Sequence, residues 1–332
     1  MYFLGIFASM RIAFVGKGGS GKSTITSLFA KFAMSTEKPV SVFDADINMH
    51  IPHLLGVTVA TNSYLSYSKN STDIKRFLIG NNTRIESLGA FRKSTPPTLQ
   101  SNFFIPGKPE NHIQKTYGTK LNSKDTLYVV GTYEKEDIGT TCYHGSLAIL
   151  ENILSHTLDS DSIIIADMVA GTDAFSNTLH TQFDIIAVLV EPTSQSIQVT
   201  KKYLELSQSA GIHTSIRLIA NKIESEEEIN FIEECLQTKV FTYFTKSQSI
   251  KKADLLQKQL NIEDLEDQNK KAVSDIYTEL MSQSESLDDR YKKIVEIHKK
   301  YIQKDFITER HGDLSHQIDT EFSFSKIPSQ TQ

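Results

Sequence analysis

The run Gly16-Lys17-Gly18-Gly19-Ser20-Gly21-Lys22-Ser23-Thr24 constrains this chain more than any other nine residues. It fits G-x-x-x-x-G-K-[ST], and it stands directly after an apolar strand-like run and directly before an amphipathic helical one. That is the context in which such a loop cradles phosphate. The glycines let the backbone curl until its N–H groups converge on phosphate oxygens, and the helix N-terminus adds positive potential. Lys22 neutralises β- and γ-phosphate charge, and Ser23, followed by Thr24, supplies a hydroxyl for Mg²⁺. A nucleoside triphosphate with Mg²⁺ is the expected ligand.

The pattern beyond the loop fits an α/β chain. Short aliphatic or β-branched runs recur at Ile12–Val15, Val40–Phe43, Leu127–Val130, Ile163–Ala166, Ile185–Val190, Ile216–Ala220 and Val240–Phe244. Several are apolar almost throughout, as strands covered on both faces must be. Helical-period segments such as Gly145–Leu158 and Ser194–Ala210 lie between them. This alternation predicts a doubly wound, mainly parallel sheet with helices on both faces. Residues 57–125 break the rhythm with Asn, Ser, Thr, Pro and aromatics, and read as an insertion: a lid, a partner surface or a disordered stretch. Ile262–Phe306 reads as two charged helices, the second opened by a capping-box-like Ser286-Leu287-Asp288-Asp289. The expected parts are a P-loop domain over 10–260 carrying the 57–125 insertion, a C-terminal helical extension over 261–306, and a flexible tail over 307–332.

Composition narrows the setting. No run approaches the roughly 18 consecutive apolar residues of a spanning helix. Two cysteines, 142 and 235, make no disulfide scaffold and suit a reducing, cytoplasmic compartment. A net charge of -5 argues against a globally basic nucleic-acid binder. The opening MYFLGIFAS lacks the basic start of a signal peptide. Met10 reads as the working start, with a short extra strand as the alternative.

Lys17, a second lysine at the start of the loop, gives the form KGGxGKST. In this the chain resembles the deviant Walker A ATPases: the MinD/ParA partition ATPases, nitrogenase iron protein and their metallochaperone relatives. The likeness covers most of residues 10–260. It implies that Lys17 reaches across a homodimer interface to the partner's nucleotide, so that a cation supplied in trans makes transition-state stabilisation depend on dimerisation. Phe43-Asp44-Ala45-Asp46-Ile47-Asn48 resembles the family's switch I, usually DxDP. Asp46 matches the carboxylate that orients the attacking water, Asp44 supports the magnesium shell, and Ile47 replaces the usual proline. Ile163 to Asp167 reads as a Walker B run that puts Asp167 beside Mg²⁺. Met168-Val169-Ala170-Gly171 resembles switch II, where the Gly171 amide senses the γ-phosphate. Asn221-Lys222 matches the position from which the family's asparagine contacts adenine. The chain continues Ile223-Glu224, without the aspartate that reads guanine, so ATP is expected over GTP.

Within the family, DADINMH at 44–50, TCYHGSLAILENIL at 141–154, DMVAG at 167–171 and EPTSQSI at 191–197 are similar to the CooC-like carbon monoxide dehydrogenase maturation ATPases, which insert nickel. That branch carries a metal-binding Cys-x-Cys pair where this chain reads Cys142-Tyr143-His144. A thiolate and an imidazole two apart ligate Ni²⁺ or Zn²⁺, and two copies across a two-fold axis make Cys₂His₂. The alternative is a buried cysteine and a helix-capping histidine. An iron–sulfur cluster is not expected, because switch II has Ala170 where nitrogenase iron protein has cysteine. The polar ending IDTEFSFSKIPSQTQ argues against membrane targeting. Lysine pairs such as Lys251-Lys252 and Lys270-Lys271 are interleaved with acids, so DNA binding is not favoured. The expected function is a dimeric ATP-hydrolysing switch acting on a metalloenzyme client. The alternatives are a positioning ATPase acting on DNA or cargo, and a nucleotide-dependent scaffold with little turnover.

Overall fold

The computed structural model of the chain describes residues 8–132, 143–171, 178–256, 258–283 and 285–327. Its strands are β1 (Ala8–Gly16), β2 (Val40–Ala45), β3 (Thr119–Lys120), β4 (Thr126–Val129), β5 (Ile163–Met168), β6 (Ile185–Val190), β7 (Ile216–Ile223), β8 (Val240–Thr245) and β9 (Glu285–Ser286). The helices through the insertion are α1 (Lys22–Met34), α2 (Ile51–Leu55), α3 (Ser68–Ile79) and α4 (His112–Tyr117). There follow α5 (Tyr143–Ser146), α6 (Ala148–Ser155), α7 (Ser194–Ser209) and α8 (Glu226–Leu236). The last are α9 (Gln248–Leu255), α10 (Asp267–Ser282), α11 (Leu287–Ile302) and α12 (Asp305–His311).

The strands form one sheet in the order β3-β4-β2-β5-β1-β6-β7-β8, parallel except for β3 and for β9, which pairs antiparallel with Ala8 and Ser9 of β1. The strand therefore begins ahead of Met10. The apolar runs of the sequence are the strands of this sheet, and their successive side chains feed two cores. Ile12, Phe14, Ile163, Ile165, Ile185 and Ala187 face α1, α2 and α10. Ala13, Val15, Ile164, Ala166, Ile186 and Val188 face α3, α4, α6, α7 and α8. Because α10 packs in the same core as α1, position 260 does not divide the packing.

The segment expected to be a flexible tail differs from that reading. Up to Ile327 it packs. Phe322, Phe324 and Ile327 join Tyr291 and Val295 of α11 and Phe103 of the insertion in a third apolar cluster. The sequence hides this, because three apolar residues spread over six positions show no period, and their partners lie in α11 and, at Phe103, some two hundred residues upstream. The insertion is likewise folded. Leu65, Ile74, Leu78, Phe91, Phe104 and Ile113 are buried against the sheet. Insertion and C-terminal segment are also joined by polar contacts, Ser94 Oγ to His298 Nδ1 at 3.0 Å and Thr95 Oγ1 to Gln317 Oε1 at 3.0 Å. The capping residue read from the sequence performs as expected, since Ser286 Oγ accepts from the Asp289 N–H at the start of α11.

At the N-terminal ends of the parallel strands, two buried guanidiniums and two carboxylates interlock. Arg11 binds Asp159 through Nε (2.7 Å) and Nη2 (3.0 Å). Arg290 of α11 donates to Asp184 Oδ1 (2.6 Å), to the Gln182 carbonyl (2.7 Å) and to Ser9 Oγ (3.3 Å). Removing one partner of such a set strands a buried charge. Arg290→Ala is expected to cost about 3–5 kcal/mol of stability, measured as a lower urea midpoint. An unchanged midpoint refutes the assignment.

Two buried histidines add a pH dependence. Burial pushes the His156 imidazole from 6.5 down to about 3. Burial likewise brings His298 down to about 4. Both rings take up a proton more readily in the unfolded chain than in the folded one. Their contribution is therefore complete above about pH 6.5 and is lost as the pH falls through their folded values. Urea midpoints should decline as the pH falls from about 6.5 toward 4, with a shallower slope in His298→Asn.

Candidate functional site

The loop that follows β1 sits over the C-terminal ends of the parallel strands, where α/β sheets place their ligand crevices. Two of its glycines are required by geometry. A Cβ on Gly16 would stand 2.8 Å from both the Leu189 carbonyl oxygen and Ser20 Oγ. Gly21 has φ +87° and leaves no room for a Cβ against Asn221 Nδ2. The fold thereby brings strand end, loop and β7 into contact, and Asn221 Nδ2 donates to the Ser20 carbonyl at 2.6 Å.

At the base of the loop Lys22 is buried, and its Nζ lies 2.9 Å from Asp46 Oδ2 and 3.0 Å from Asp167 Oδ1. Ser23 Oγ donates to Asp167 Oδ2 at 2.6 Å, and Thr26 Oγ1 to Asp167 Oδ1 at 3.2 Å. Asp44 lies in the same cluster, fully buried, accepting from the N–H groups of Asp46 (3.2 Å) and Ile51 (3.0 Å). Four ionisable groups from α1, β5 and the end of β2 thus share one small volume. Burial works against the charge on Lys22, but Asp167 and Asp46 outweigh it and raise its pKa. Burial also opposes ionisation of Asp46, yet Lys22 and the Asn48 N–H hold it below the usual carboxylate range. Asp167 is pushed up by burial against the pull of Lys22. Asp44 is pushed well up by burial and by the charge of Asp167.

The loop after β2 has no proline, and local hydrogen bonds set its shape instead. Asp46 Oδ1 accepts from Asn48 N (3.0 Å) and Nδ2 (2.9 Å), and the Met49 N–H closes a turn onto the Asp46 carbonyl at 3.1 Å. Met49 is held at φ 49° and Lys222 at φ 62°, two of the three described non-glycine residues in the left-handed region. Such strain persists only where surroundings impose it. At Lys222 the cause is an irregularity in the β7–β8 register between Ala220 and Ile223. This bulge aims Asn221 at the loop and sends Lys222 Nζ to the Gly19 carbonyl (3.0 Å) and the Glu191 carboxylate.

A cleft of about 370 Å³ opens on Lys17, Gly18, Gly19, Lys22, Asp46 and Ala170. A second, of about 430 Å³, shares Gly21 and Thr24 with it and runs between Asn221 and Lys222 on one side and Thr245, Ser247 and Gln248 on the other. Together they suit a phosphate chain at the loop and a base beside β7. No residue of the 57–125 insertion lines either cleft among the described residues. Lys17 stands half-buried at the cleft mouth, and its side chain makes no hydrogen bond or ion pair among the described residues. Gly171 is described at φ 71°. Cys142 lies outside the described residues, as does the His144 side chain, and the remaining described residues hold no group of three or more His, Cys, Asp or Glu suited to a metal.

Sequence reasoning missed Thr26, although its position four residues after Lys22 on α1 places it on the same helix face. It also missed the 245–248 wall, which no motif marks and which only the pairing of β8 with β7 brings to the cleft.

A doubly wound parallel sheet with this loop, an acidic cluster behind its lysine and a base-sized cleft defines a P-loop nucleotide-binding protein. The chain belongs to the CbiA family, the CobQ/CobB/MinD/ParA nucleotide binding domain, which it matches over residues 12–260. It is 29% identical over 224 residues to the carbon monoxide dehydrogenase accessory protein CooC of Rhodospirillum rubrum, covering 67% of this chain and 78% of that one. It is 26% identical over 257 residues to an uncharacterized ATP-binding protein of Methanocaldococcus jannaschii, covering 76% and 95%. Among solved structures, a ParA family ATPase from Chlorobium tepidum TLS shares the fold with a TM-score of 0.56 at 17% identity, over 81% of this chain and 97% of that one. The MinD cell division protein of Aquifex aeolicus does so with 0.52 at 16%, over 83% and 98%.

Gly21→Ala should keep the fold and weaken nucleotide binding at least about tenfold, because the left-handed φ and the close approach of Asn221 both exclude a methyl group. Titration with a fluorescent ATP analogue measures this. Wild-type affinity in that variant would contradict it.

Proposed function

We propose that this protein is an ATP-hydrolysing switch that works as a homodimer with ATP between its subunits. The observation that carries the reading is the shared ammonium of Lys22, gripped by Asp46 and Asp167 where a triphosphate would claim it. Entry of the phosphate chain draws Lys22 toward β- and γ-oxygens and releases the two carboxylates. Asp46 is then free to accept a proton from, and orient, the attacking water. The backbone N–H groups of residues 18–22 cradle the phosphates. Thr24 borders the phosphate and base ends of the cleft. Asn221 and Lys222 border the base.

The donor set fits Mg²⁺. Ser23 Oγ and an Asp167 oxygen already lie together, and an ion that keeps most of its waters needs no more than a hydroxyl and one or two carboxylates. Ser23 would hold it directly, and Asp167 and Asp44 would hold it through water. The ion supplies charge neutralisation at the phosphates. Gly171 couples the γ-phosphate to the segment after β5. Lys17, free at the cleft mouth, completes the partner's site in trans.

The likeness to CooC supports a maturation role in which the switch serves delivery of Ni²⁺ or Zn²⁺ to a metalloenzyme client, the ion held at the dimer interface by Cys142 and His144. The metal is cargo here. Positioning of DNA or cargo, and a low-turnover scaffold, are the alternatives.

Hydrolysis per subunit should rise with protein concentration and fall about a hundredfold or more in Lys17→Ala, while ATP still binds. Phosphate release and light scattering report the two properties. Concentration-independent turnover that survives Lys17→Ala would refute the dimer mechanism. For the metal role, Ni²⁺ or Zn²⁺ should co-purify stoichiometrically with the dimer and be lost in Cys142→Ser. Metal-free protein would remove that role and leave the ATPase reading standing.

A further inference from the structure

Far from the nucleotide cleft in sequence, the joint between insertion and C-terminal segment gathers positive charge around one aromatic ring. Lys93 Nζ stands 5.9 Å from the Tyr301 ring centre and Lys304 Nζ 5.7 Å from it. Arg92 Nη2 lies 3.4 Å from the Tyr301 hydroxyl. Arg92 also faces Lys75, whose pKa burial and this neighbour both lower. His311 is lowered by burial and by the charges of Arg92 and Arg310.

The acids do not balance this group. Asp305 and Glu309 share α12 with Arg310 but form no ion pair with any of these cations among the described residues, and only Lys93 among them is paired, with the buried Glu151 at 3.8 Å. Two nitrogens of the patch, Arg92 Nε and His311 Nε2, are shielded from solvent without a hydrogen-bond partner among the described residues. Beside them Phe306 is 59% exposed, edge-on to Tyr301 with ring centres 6.4 Å apart. Cations held together at a cost beside an exposed aromatic ring are what an interface shows before its partner arrives.

We infer that the Arg92–Lys93–Tyr301–Lys304 patch, with Phe306 at its edge, docks an acidic segment of a partner protein that also carries an apolar side chain. Carboxylates meet the guanidinium and ammonium groups, and the apolar residue covers Phe306. Single-stranded nucleic acid fits less well, because it uses free aromatic faces as stacking platforms and Tyr301 already carries two ammonium groups.

The patch also touches the switch machinery. Glu151 on α6, the residue facing Lys93, accepts from the Thr178 N–H at 2.6 Å and from its hydroxyl at 3.1 Å, seven residues beyond Gly171. A partner drawing on Lys93 therefore acts on a carboxylate that anchors the chain downstream of switch II. The inference goes beyond the ATPase reading and stands without it, since docking on the patch requires no hydrolysis.

The test uses the full chain without nucleotide and a fluorescein-labelled peptide of alternating glutamate and leucine, followed by anisotropy at low ionic strength. Saturable binding is expected, weakened about tenfold or more by Lys304→Glu with Arg310→Glu, exposed positions at the N-cap and in the last turn of α12. Phe306→Ser should weaken it severalfold. Lys201→Glu with Lys202→Glu on α7 should leave it unchanged. Absence of saturable binding, or equal loss in the α7 variant, overturns the proposal. Displacement of the peptide by oligothymidine at comparable concentration overturns the protein-partner assignment in favour of nucleic acid.

Discussion

One buried ammonium holds the working end of this protein together. Lys22 lies between Asp46 and Asp167, with Asp44 behind them, so carboxylates from two neighbouring strands converge on a single cation. Without it the cluster would be a set of like charges in a region of low polarity, an arrangement that resolves only by protonation or by moving apart. The directions of the pKa shifts follow that logic. Asp46, hydrogen-bonded by Asn48 and paired with Lys22, stays ionised, whereas Asp44, with no cation touching it, is pushed well up. A phosphate chain at the loop must compete with these carboxylates for the same ammonium. In the proposed function, ligand binding and rearrangement of the loop after β2 are one event.

The opposite ends of the strands are fixed by a second charged set, and the two differ in kind. Arg11 meets Asp159 in a planar, forked contact and Arg290 donates to Asp184, which ties α11 to the N-terminal ends of β1 and β6. There two guanidiniums face two carboxylates, whereas in the Lys22 cluster one ammonium faces three. One end of the sheet is locked and the other is poised.

The segments that distinguish this chain from a bare P-loop domain also act together. The insertion and the C-terminal residues share the cluster of Phe103, Tyr291, Phe322 and Phe324, and hydrogen bonds from Ser94 and Thr95 reinforce it. Neither is near the cleft. Through Lys93 and Glu151 their joint surface reaches the chain at Thr178.

The sequence by itself determined the phosphate loop, the strands and the parallel class of the sheet, because each is written in contiguous residues whose spacing has one physical reading. The P-loop needs glycines at fixed offsets, and strands buried on both faces need unbroken apolar runs. It also marked Asp44, Asp46, Asp167 and Asn221 as strand-end polar residues. What it did not contain was their meeting, since the partnership of Lys22 with Asp167 spans 145 positions and exists only because β2, β5 and β1 lie side by side. The base-side wall at 245–248, the burial of the C-terminal residues up to Ile327 and the charge gathered around Tyr301 were decided by tertiary structure alone. In each case the partners are remote in the chain, and neither local propensity nor periodicity carries information about distance in space.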